Sequence, residues 1–455
     1  MRPTLAAVLR NRVSGLGVAL TTASAIIFVF LVALEVLGYF ENPYAGLVVF
    51  GMLPALFTVG LLLIPVGLWL ERRRRRAGIV APEWPTFDLN DAGVRRTLFF
   101  VMVATLVNLG IVSMASYGAV EYTESRQFCG QVCHVPMKPE FVAHQSAPHS
   151  KVACVRCHVA PGAAGLVESK LAGVGRLVAV ARNSFHRPIP PPLGELIPAR
   201  DTCEQCHWPE KLHGDVVKRV AEYASDEGNT ETVTTLRLHV GGGSERLGVA
   251  TGIHWHMNVA NEIEYVATDV KFETIPYVRL KDRAGIVREY FAPGVTPEQI
   301  ASGHRRRMDC MDCHNRPAHP ITSNVGRAVD ERIGLGQIPR DLPFVRREAV
   351  KALEADYASE PEAMEAIATA LGDFYLKSYK DVASGRQPDI QRAVQAVQAV
   401  YRQNVFPEMK VTFGTYVNNI GHIESPGCFR CHDDEKATKE GRKIGQDCEL
   451  CHSIE

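Results

Sequence analysis

The sequence has no excess of charge of one sign, because 50 lysines and arginines balance 50 aspartates and glutamates. This balance argues against a polyanionic partner such as nucleic acid. No cysteine lies outside six short motifs that each end in histidine, so an account of the cysteines must also explain those histidines. After residue 120 the chain lacks an apolar run long enough to cross a bilayer, which limits membrane-spanning segments to the first quarter.

The twelve cysteines fall into five copies of Cys-x-x-Cys-His and one version with an extra residue between the cysteines. In chain order the motifs are Cys129/Cys133/His134 (the stretched copy), Cys154/Cys157/His158, Cys203/Cys206/His207, Cys310/Cys313/His314, Cys428/Cys431/His432 and Cys448/Cys451/His452. In c-type attachment the two thiols add to the vinyl groups of a haem, and the adjacent histidine becomes an axial ligand of the iron. The arithmetic predicts six covalently bound haems, numbered one to six along the chain.

Two other uses of cysteine fit parts of this pattern. The last two motifs have the spacing of a four-cysteine zinc ribbon, and an oxidising compartment would favour a framework of disulfides. Neither use explains why a histidine follows the second cysteine of every motif. Haem attachment is therefore the preferred interpretation, and the stretched motif is the one that departs from the standard attachment signal.

Three apolar stretches in the first 120 residues are each long enough to span about 30 Å of hydrocarbon. They cover residues 16–40, 45–70 and 98–120. The first is longer than the apolar core of a signal peptide and does not end in a small-residue cleavage site, so it is expected to be retained as an anchor. The sequence predicts three transmembrane helices within residues 1–120.

Arginines set the expected orientation of these helices. Arg2, Arg10 and Arg12 precede the first helix, the loop between the second and third carries arginines at 72–76, 95 and 96, and the link at 41–44 has neither lysine nor arginine. Cytoplasmic loops retain positive charge, so an odd number of crossings exports everything after residue 120. Haem attachment of this type also belongs outside the cytoplasmic membrane. Both patterns predict a bacterial cytoplasmic (inner) membrane protein with its haem domain on the periplasmic side.

The exported region is predicted to be a loop-rich, mainly α haem domain with some short β-strands. An amphipathic helix is expected at residues 165–182, strands within residues 230–291 and two or more helices within residues 344–404. The expected organisation is a membrane anchor at 1–120, a trihaem domain at 121–213, a haem-poor insert with strands at 214–309, and a C-terminal trihaem region with helices at 310–455.

Ten of the sixteen histidines do not follow a motif cysteine, which exceeds the number of distal ligands that six haems need. The preferred distal candidates are His149, His186, His254, His256, His304, His319 and His422; the others are His144, His213 and His239. Met137, three residues after His134, is a candidate ligand for haem one, since a thioether can ligate haem iron. A haem with two strong axial ligands transfers electrons, whereas an open position permits reduction of a small molecule. The surplus of histidines favours electron transfer.

Residues 128–207 resemble the NapC/NirT family of membrane-anchored multihaem quinol dehydrogenases. The similarity rests on Phe128-Cys129-Gly130, Cys133-His134, Met137, Pro139-Glu140, Ser146, His149, the motif at 154–158, Ser169-Lys170-Leu171 and Arg187-Pro188-Ile189. It implies electron transfer from membrane menaquinol or ubiquinol to periplasmic acceptors. It also implies that Met137 ligates haem one in place of the motif histidine and that Lys170 contributes to the quinol pocket.

The chain departs from the short members of that family, which have one anchor helix and four haems. Three predicted helices, the stretched first motif and residues 214–455 resemble the larger multihaem inner-membrane cytochromes of metal-reducing and related bacteria. The segment at 421–432, which contains His422 and the fifth motif, carries part of that similarity. Because this chain is predicted to have more haems than the short members, the resemblance does not identify its electron acceptor.

The leading hypothesis is a membrane-bound hexahaem cytochrome that oxidises quinol and passes electrons to a periplasmic cytochrome or reductase, in anaerobic or extracellular-acceptor respiration. Haem one would accept electrons, and haems five and six would deliver them. One alternative is a terminal reductase of a small nitrogen oxide or oxyanion at an open haem, although no motif has lysine in place of histidine. Another is an electron-relay subunit without catalysis, and an oligomer or a larger complex is also left open.

Overall fold

The computed structural model describes residues 12–36, 48–76, 89–160, 162–191, 197–208, 214–242, 252–257 and 261–455. Arg2, Arg10, the link at 41–44 and His213 lie outside these ranges. The chain divides into two compact units, Met1–His134 and Val135–Glu455.

The first unit contains three long helices within its described residues. They are α1 (Arg12–Val36), α2 (Leu53–Arg76), which follows a π-helical turn at Val48–Met52, and α3 (Ala92–Glu124), whose first turn is capped by Asp91. The segments Arg12–Leu34, Val48–Leu70 and Ala92–Glu124 are long and apolar enough to cross a membrane. The prediction of three helices of membrane-spanning length is confirmed.

Helices α1 and α2 approach each other closely where both carry small residues. A Cβ atom added to Gly60 of α2 would lie 2.7 Å from the Thr21 nitrogen and 2.9 Å from the Gly17 oxygen of α1. Nearby, Ser14 Oγ of α1 donates a hydrogen bond of 3.0 Å to the Ile64 oxygen of α2. In lipid, helices associate through such close packing and hydrogen bonding rather than through removal of apolar surface from water.

We expect Gly60→Ala to destabilise the packing of α1 against α2 by about 1–3 kcal/mol, because the added methyl group has no space without a shift of the backbone. Resistance of the purified protein in detergent to unfolding by dodecyl sulfate measures this effect. Gly110→Ala in α3 is the matched control, since a Cβ atom there meets nothing within 4 Å. Equal resistance of the two variants would contradict the predicted close contact.

The second unit begins with two helices that belong to the region of NapC/NirT-like motifs. Helix α4 (His134–Ser146) carries Met137, and α5 (Gly162–Ala181) carries Lys170. The amphipathic helix predicted at 165–182 is therefore present. A buried cluster joins Ala143 of α4 to later parts of the chain: Ile321, Phe406, Met409, Val411 and Tyr416, with Phe185 and Ile189 packed against it.

Seven short strands form two antiparallel sheets among the described residues of this unit. The strands are β1 (Val216–Tyr223), β2 (Glu231–Leu238), β3 (Glu262–Ala267), β4 (Tyr277–Lys281), β5 (Val287–Phe291), β6 (His304–Arg307), which follows the short helix α6 (Pro297–Ser302), and β7 (His452–Ile454). One sheet has the order β1-β2-β7 and the other β5-β4-β3-β6. The expected short strands are present, and β7 ties the last haem motif to the first sheet, where Leu238 is paired with His452.

Five helices form the largest apolar core of the unit. They are α7 (Val325–Gly334), α8 (Val345–Leu353), α9 (Glu360–Ser378), α10 (Lys380–Gly385) and α11 (Gln387–Asn404). Asn229, in the turn between β1 and β2, docks the hairpin on this core because its fully buried side chain donates to the Arg340 and Leu342 carbonyls and accepts from the Arg346 nitrogen. The helices predicted within 344–404 are present, and the fold is mainly helical with short strands.

Candidate haem sites

Each regular motif folds as a single tight turn. In four of them the histidine nitrogen donates to the carbonyl of the first cysteine: His158 to Cys154 at 3.1 Å, His207 to Cys203 at 2.8 Å, His314 to Cys310 at 2.8 Å and His432 to Cys428 at 3.0 Å. Residues four apart lie on the same side of a helical turn. The spacing thus brings the first thiol and the imidazole to the same side, as one porphyrin requires.

The stretched motif is accommodated by a wider turn. Residues Phe128–Val132 form a π-helical turn, whose hydrogen bonds join residues five apart instead of four. Cys129 and His134 are also five apart, so the wider turn offsets the extra residue between the cysteines. The first motif can therefore present its thiols and its histidine as the regular motifs do.

The imidazole rings of five motif histidines each lie beside a histidine from another part of the chain. The ring centres are 6.2 Å apart for His158 and His319, 6.0 Å for His207 and His149, 6.3 Å for His314 and His254, 5.8 Å for His432 and His256, and 6.0 Å for His452 and His422. Five of the seven preferred distal candidates thus lie next to a motif histidine, one to each.

This spacing fits a haem iron between the two rings. An imidazole nitrogen binds a first-row metal at about 2.0 Å, and the ring centre lies about 1.1 Å beyond that nitrogen, so imidazoles on opposite sides of one metal have centres roughly 6.2 Å apart. Rings in direct contact can lie equally far apart, as His144 and His319 do at 5.9 Å, so the haem interpretation rests on the presence of a motif histidine in each of the five pairs. The donor set of each pair, two thiols and two imidazoles, is the one that a c-type haem with two histidine ligands uses.

Backbone carbonyls lie within hydrogen-bonding distance of Nδ1 in five of these ten imidazoles. The Nδ1 atoms lie 3.1 Å from the Pro317 oxygen for His149, 3.0 Å from the Val240 oxygen for His254, 2.7 Å from the Ile253 oxygen for His256, 2.9 Å from the Glu140 oxygen for His319 and 2.8 Å from the Gly445 oxygen for His432. A ligating histidine commonly donates its second N–H in this way, which fixes the tautomer and leaves Nε2 for the metal.

Burial favours the neutral imidazole that metal ligation requires. It is the main cause that lowers the pKa of the partly buried His256 and His319 from the ordinary value. For His319 the neighbouring carboxylate of Glu140 opposes the effect of burial.

The chain is 42% identical over 448 residues to the cytochrome c-type protein ImcH of Geobacter sulfurreducens, a match that covers 98% of this chain and 88% of the relative. It belongs to the family of NapC/NirT-like membrane multihaem c-type cytochromes. No family model matches the chain, and no solved structure matches it. The family resemblance is confirmed: this cytochrome is membrane-anchored, binds haem covalently and transfers electrons.

The two other uses of cysteine lack support in this cytochrome. All twelve cysteines are free of disulfide bonds, and no group of three or more His, Cys, Asp or Glu side chains within the described ranges is arranged to hold a metal ion.

Consecutive motifs of the cytochrome lie next to each other from the second to the sixth. Burial raises the pKa of Cys157 in the second motif, and the thiols of Cys203 and Cys206 in the third raise it further. The thiol of Cys203 in turn lies close enough to that of Cys310 in the fourth motif for the two to change each other's pKa. Cys313 of the fourth motif lies close enough to Cys428 and Cys431 of the fifth for their charges to affect its pKa. Cys451 of the sixth motif is similarly close to Cys428 of the fifth. The attachment segments therefore follow one another in chain order.

The remaining candidates lie elsewhere. His186 is exposed, and His304 packs on the ring of Phe272; among the described ring contacts neither meets a motif histidine. His144 lies 5.9 Å from His319 but directs Nε2 to the Val152 oxygen at 3.1 Å, and His239 pairs with Asp215. Met137 and Lys170 are half-buried in α4 and α5. Their ligand and quinol roles stay predictions.

Two charged residues inside the motifs were not singled out from the sequence. Asp312 of the fourth motif is 5% exposed and Arg430 of the fifth is 8% exposed. The Asp312 carboxylate accepts from Tyr265 Oη at 2.5 Å and from Arg306 Nε at 2.7 Å, and Arg430 donates to the Asp312 carbonyl at 2.6 Å. Both residues lie between the two cysteines of a motif, close to where haem is attached. An ionisable residue at such a position is the sequence signal that could have identified them.

Proposed function

We propose that this cytochrome carries six haems and oxidises membrane quinol on the periplasmic side of the bacterial inner membrane, delivering electrons to a periplasmic cytochrome or reductase. The observation that carries the proposal is the set of five histidine pairs. Bound haem supplies one-electron oxidation and reduction of its iron. The paired histidines would fill both axial positions of haems two to six, which favours electron transfer over reduction of a small molecule at an open haem.

The chain order of the motifs supports a direction for the electrons. Haem one adjoins the membrane anchor in sequence, and the sixth motif is at the C-terminal end of the row of neighbouring motifs. Cys448 of the sixth motif is exposed, as are the nearby residues Leu450 and Ile454. We infer that electrons enter at haem one and leave at haem six, to an acceptor that docks beside β7.

Helix α5 supports a quinol site close to lipid. Its apolar side chains are unusually accessible, with Val167 57%, Leu171 70% and Val174 60% exposed. An amphipathic helix with such a face can lie in the headgroup region of a bilayer. Lys170 on this helix would then bind a quinol oxygen, and Met137 on α4 would complete the ligation of haem one.

We expect quinol to reduce the purified cytochrome rapidly and both Met137→Ala and Lys170→Ala to slow that reduction. The loss for Lys170→Ala should be about tenfold or more, the equivalent of one charged hydrogen bond. Stopped-flow reduction by menaquinol or ubiquinol analogues, on protein whose haem content is determined by mass, measures the rate. Lys151→Ala is the matched control, because Lys151 is an exposed lysine of the same region.

The outcomes separate the candidate functions. Six haems that quinol never reduces would overturn quinol oxidation and indicate a relay subunit fed by another protein. A substantial high-spin fraction beyond haem one in the wild type would indicate an open haem and so a terminal reductase. Fewer than six haems per chain, as determined by mass, would show that the stretched motif or another motif does not bind its haem.

A further inference from the structure

A buried arginine connects the attachment segments of haems four and five. Arg430 occupies the position before the second cysteine of the fifth motif and is 8% exposed. Its guanidinium donates to three carbonyl oxygens on three segments: Gly427 at 2.9 Å, Phe272 at 2.9 Å and Asp312 at 2.6 Å. Gly427 precedes the fifth motif, Phe272 lies between β3 and β4, and Asp312 is inside the fourth motif. One side chain thus fixes two haem motifs to each other.

No carboxylate is among the hydrogen-bond partners described for Arg430. The nearest motif acid, Asp312, directs its carboxylate to Arg306 and Tyr265, and Arg306 is also paired with Asp309 at 3.2 Å. The guanidinium also reaches both motifs, because Arg430 directly precedes Cys431 of the fifth motif and the Asp312 carbonyl that it contacts directly precedes Cys313 of the fourth. A full positive charge therefore lies among the attachment thiols of two haems, solvated by carbonyl dipoles.

We propose that Arg430 is a positioning residue that sets the mutual arrangement of haems four and five and whose charge raises their reduction potentials. This inference rests on the haem loading of the proposed function but not on quinol oxidation. Uptake of one electron lowers the charge of a site by one unit, so a fixed cation nearby favours the reduced state. At an effective dielectric near 20, a unit charge about 12 Å away changes such an equilibrium by about one power of ten.

The second motif supplies a matched control. It has the same form, with arginine before its second cysteine, but Arg156 is exposed whereas Arg430 is buried. The two arginines therefore share a place in the motif and differ in their surroundings. A charge in contact with water is screened, whereas a buried one is not, so their neutral variants should behave differently.

The test is a redox titration of the purified, fully loaded cytochrome, with dithionite as reductant and ferricyanide as oxidant, for wild type, Arg430→Gln, Arg430→Lys and Arg156→Gln. For Arg430→Gln we expect the reduction equilibrium of at least one haem to fall about tenfold, or about 59 mV for one electron. Arg430→Lys should keep most of the wild-type potentials, because it keeps the charge, and Arg156→Gln should leave them within about a third of that shift.

Three results would overturn the inference: wild-type potentials in Arg430→Gln, an equal downward shift in Arg430→Lys and Arg430→Gln, or an equal shift in Arg156→Gln. If Arg430→Gln does not retain its haems, Arg430→Lys decides alone, since a fully loaded lysine variant with lowered potentials contradicts the role of the charge. Quinol takes no part in the titration. A cytochrome that does not oxidise quinol could therefore still show the predicted change in reduction potential. Absence of that change would likewise not contradict quinol oxidation.

Discussion

His254→Ala and His256→Ala will each convert one haem from low-spin to high-spin, and they will convert different haems. His254 lies beside His314 of the fourth motif, and His256 lies beside His432 of the fifth. If these pairs hold haem as proposed, removal of either imidazole would leave one protein ligand for the iron, which favours the high-spin state. Electron paramagnetic resonance and magnetic circular dichroism of the oxidised protein measure the change, which would amount to about one sixth of the total haem in the proposed six-haem protein.

The geometry of one short turn explains how residues only two apart can serve two haems. His254, Trp255 and His256 lie in the 3-10 turn Ile253–Met257. Such a turn has about three residues per revolution, so side chains two apart point in clearly different directions. Each imidazole is held separately, His254 by the Val240 oxygen and His256 by the Ile253 oxygen. The double variant should therefore show two high-spin haems, the sum of the single variants.

His304→Ala is the matched control for this pair. His304 is also a histidine outside the motifs, but its ring packs on Phe272, so the variant should keep the wild-type spin state. Conversion of the same haem by both single variants would contradict the separate pairing. A high-spin haem in His304→Ala together with a low-spin His254→Ala would show that the pairing itself is wrong.

The proposed attachment residues form a pattern that is visible in the sequence because the geometry of each motif is local. A first cysteine and a histidine four residues apart meet in one helical turn, whatever the rest of the fold does, and the turns at Cys203 and Cys310 show this. The distal partners could only be narrowed to a set. Whether His319 meets His158 depends on the packing of segments far apart in the chain, and no local pattern encodes that choice.

The secondary structure shows the same distinction between elements with a local sequence pattern and elements that depend on distant segments. The periodicity of apolar residues predicts the helix that becomes α5 and the helices of the C-terminal core, since both are long enough to show a period. The strand β7 has only three residues, and it exists because Leu236 and Leu238 of β2 provide its partners. Strand β1 also begins at Val216, before the region in which strands were expected. Its residues are mostly exposed, so they carry little of the pattern by which strands are recognised.

Glu140→Gln will lower the free energy of unfolding by about 3 kcal/mol, because it leaves a buried guanidinium without its carboxylate. The Glu140 Oε2 atom lies 3.2 Å from Arg316 Nη2, and the two side chains are only 18% and 11% exposed. Arg316 is also held over the ring of Tyr416, at 4.3 Å from its centre. It therefore cannot turn outward to find water without loss of this packing. Thermal or denaturant unfolding, followed by circular dichroism, measures the loss.

Asp373→Asn is the control for this effect. Its carboxylate pairs with Lys377 one helical turn away, but the side chains are 49% and 75% exposed. A pair so open to water contributes about 0.3–0.5 kcal/mol. If the two variants lost similar stability, the Glu140–Arg316 pair would have to be as well hydrated as the exposed one.

Glu140 also touches the proposed distal ligand of haem two, which gives the variant a second readout. His319 Nδ1 lies 2.9 Å from the backbone oxygen of Glu140 and 3.2 Å from its carboxylate. Glutamine leaves the backbone oxygen in place, so His319 should stay oriented and haem two should stay low-spin. The loss of a negative charge beside the ligand should nevertheless raise the reduction potential of that haem. A high-spin haem in Glu140→Gln would instead mean that the carboxylate, and not the main chain, holds His319 towards the iron.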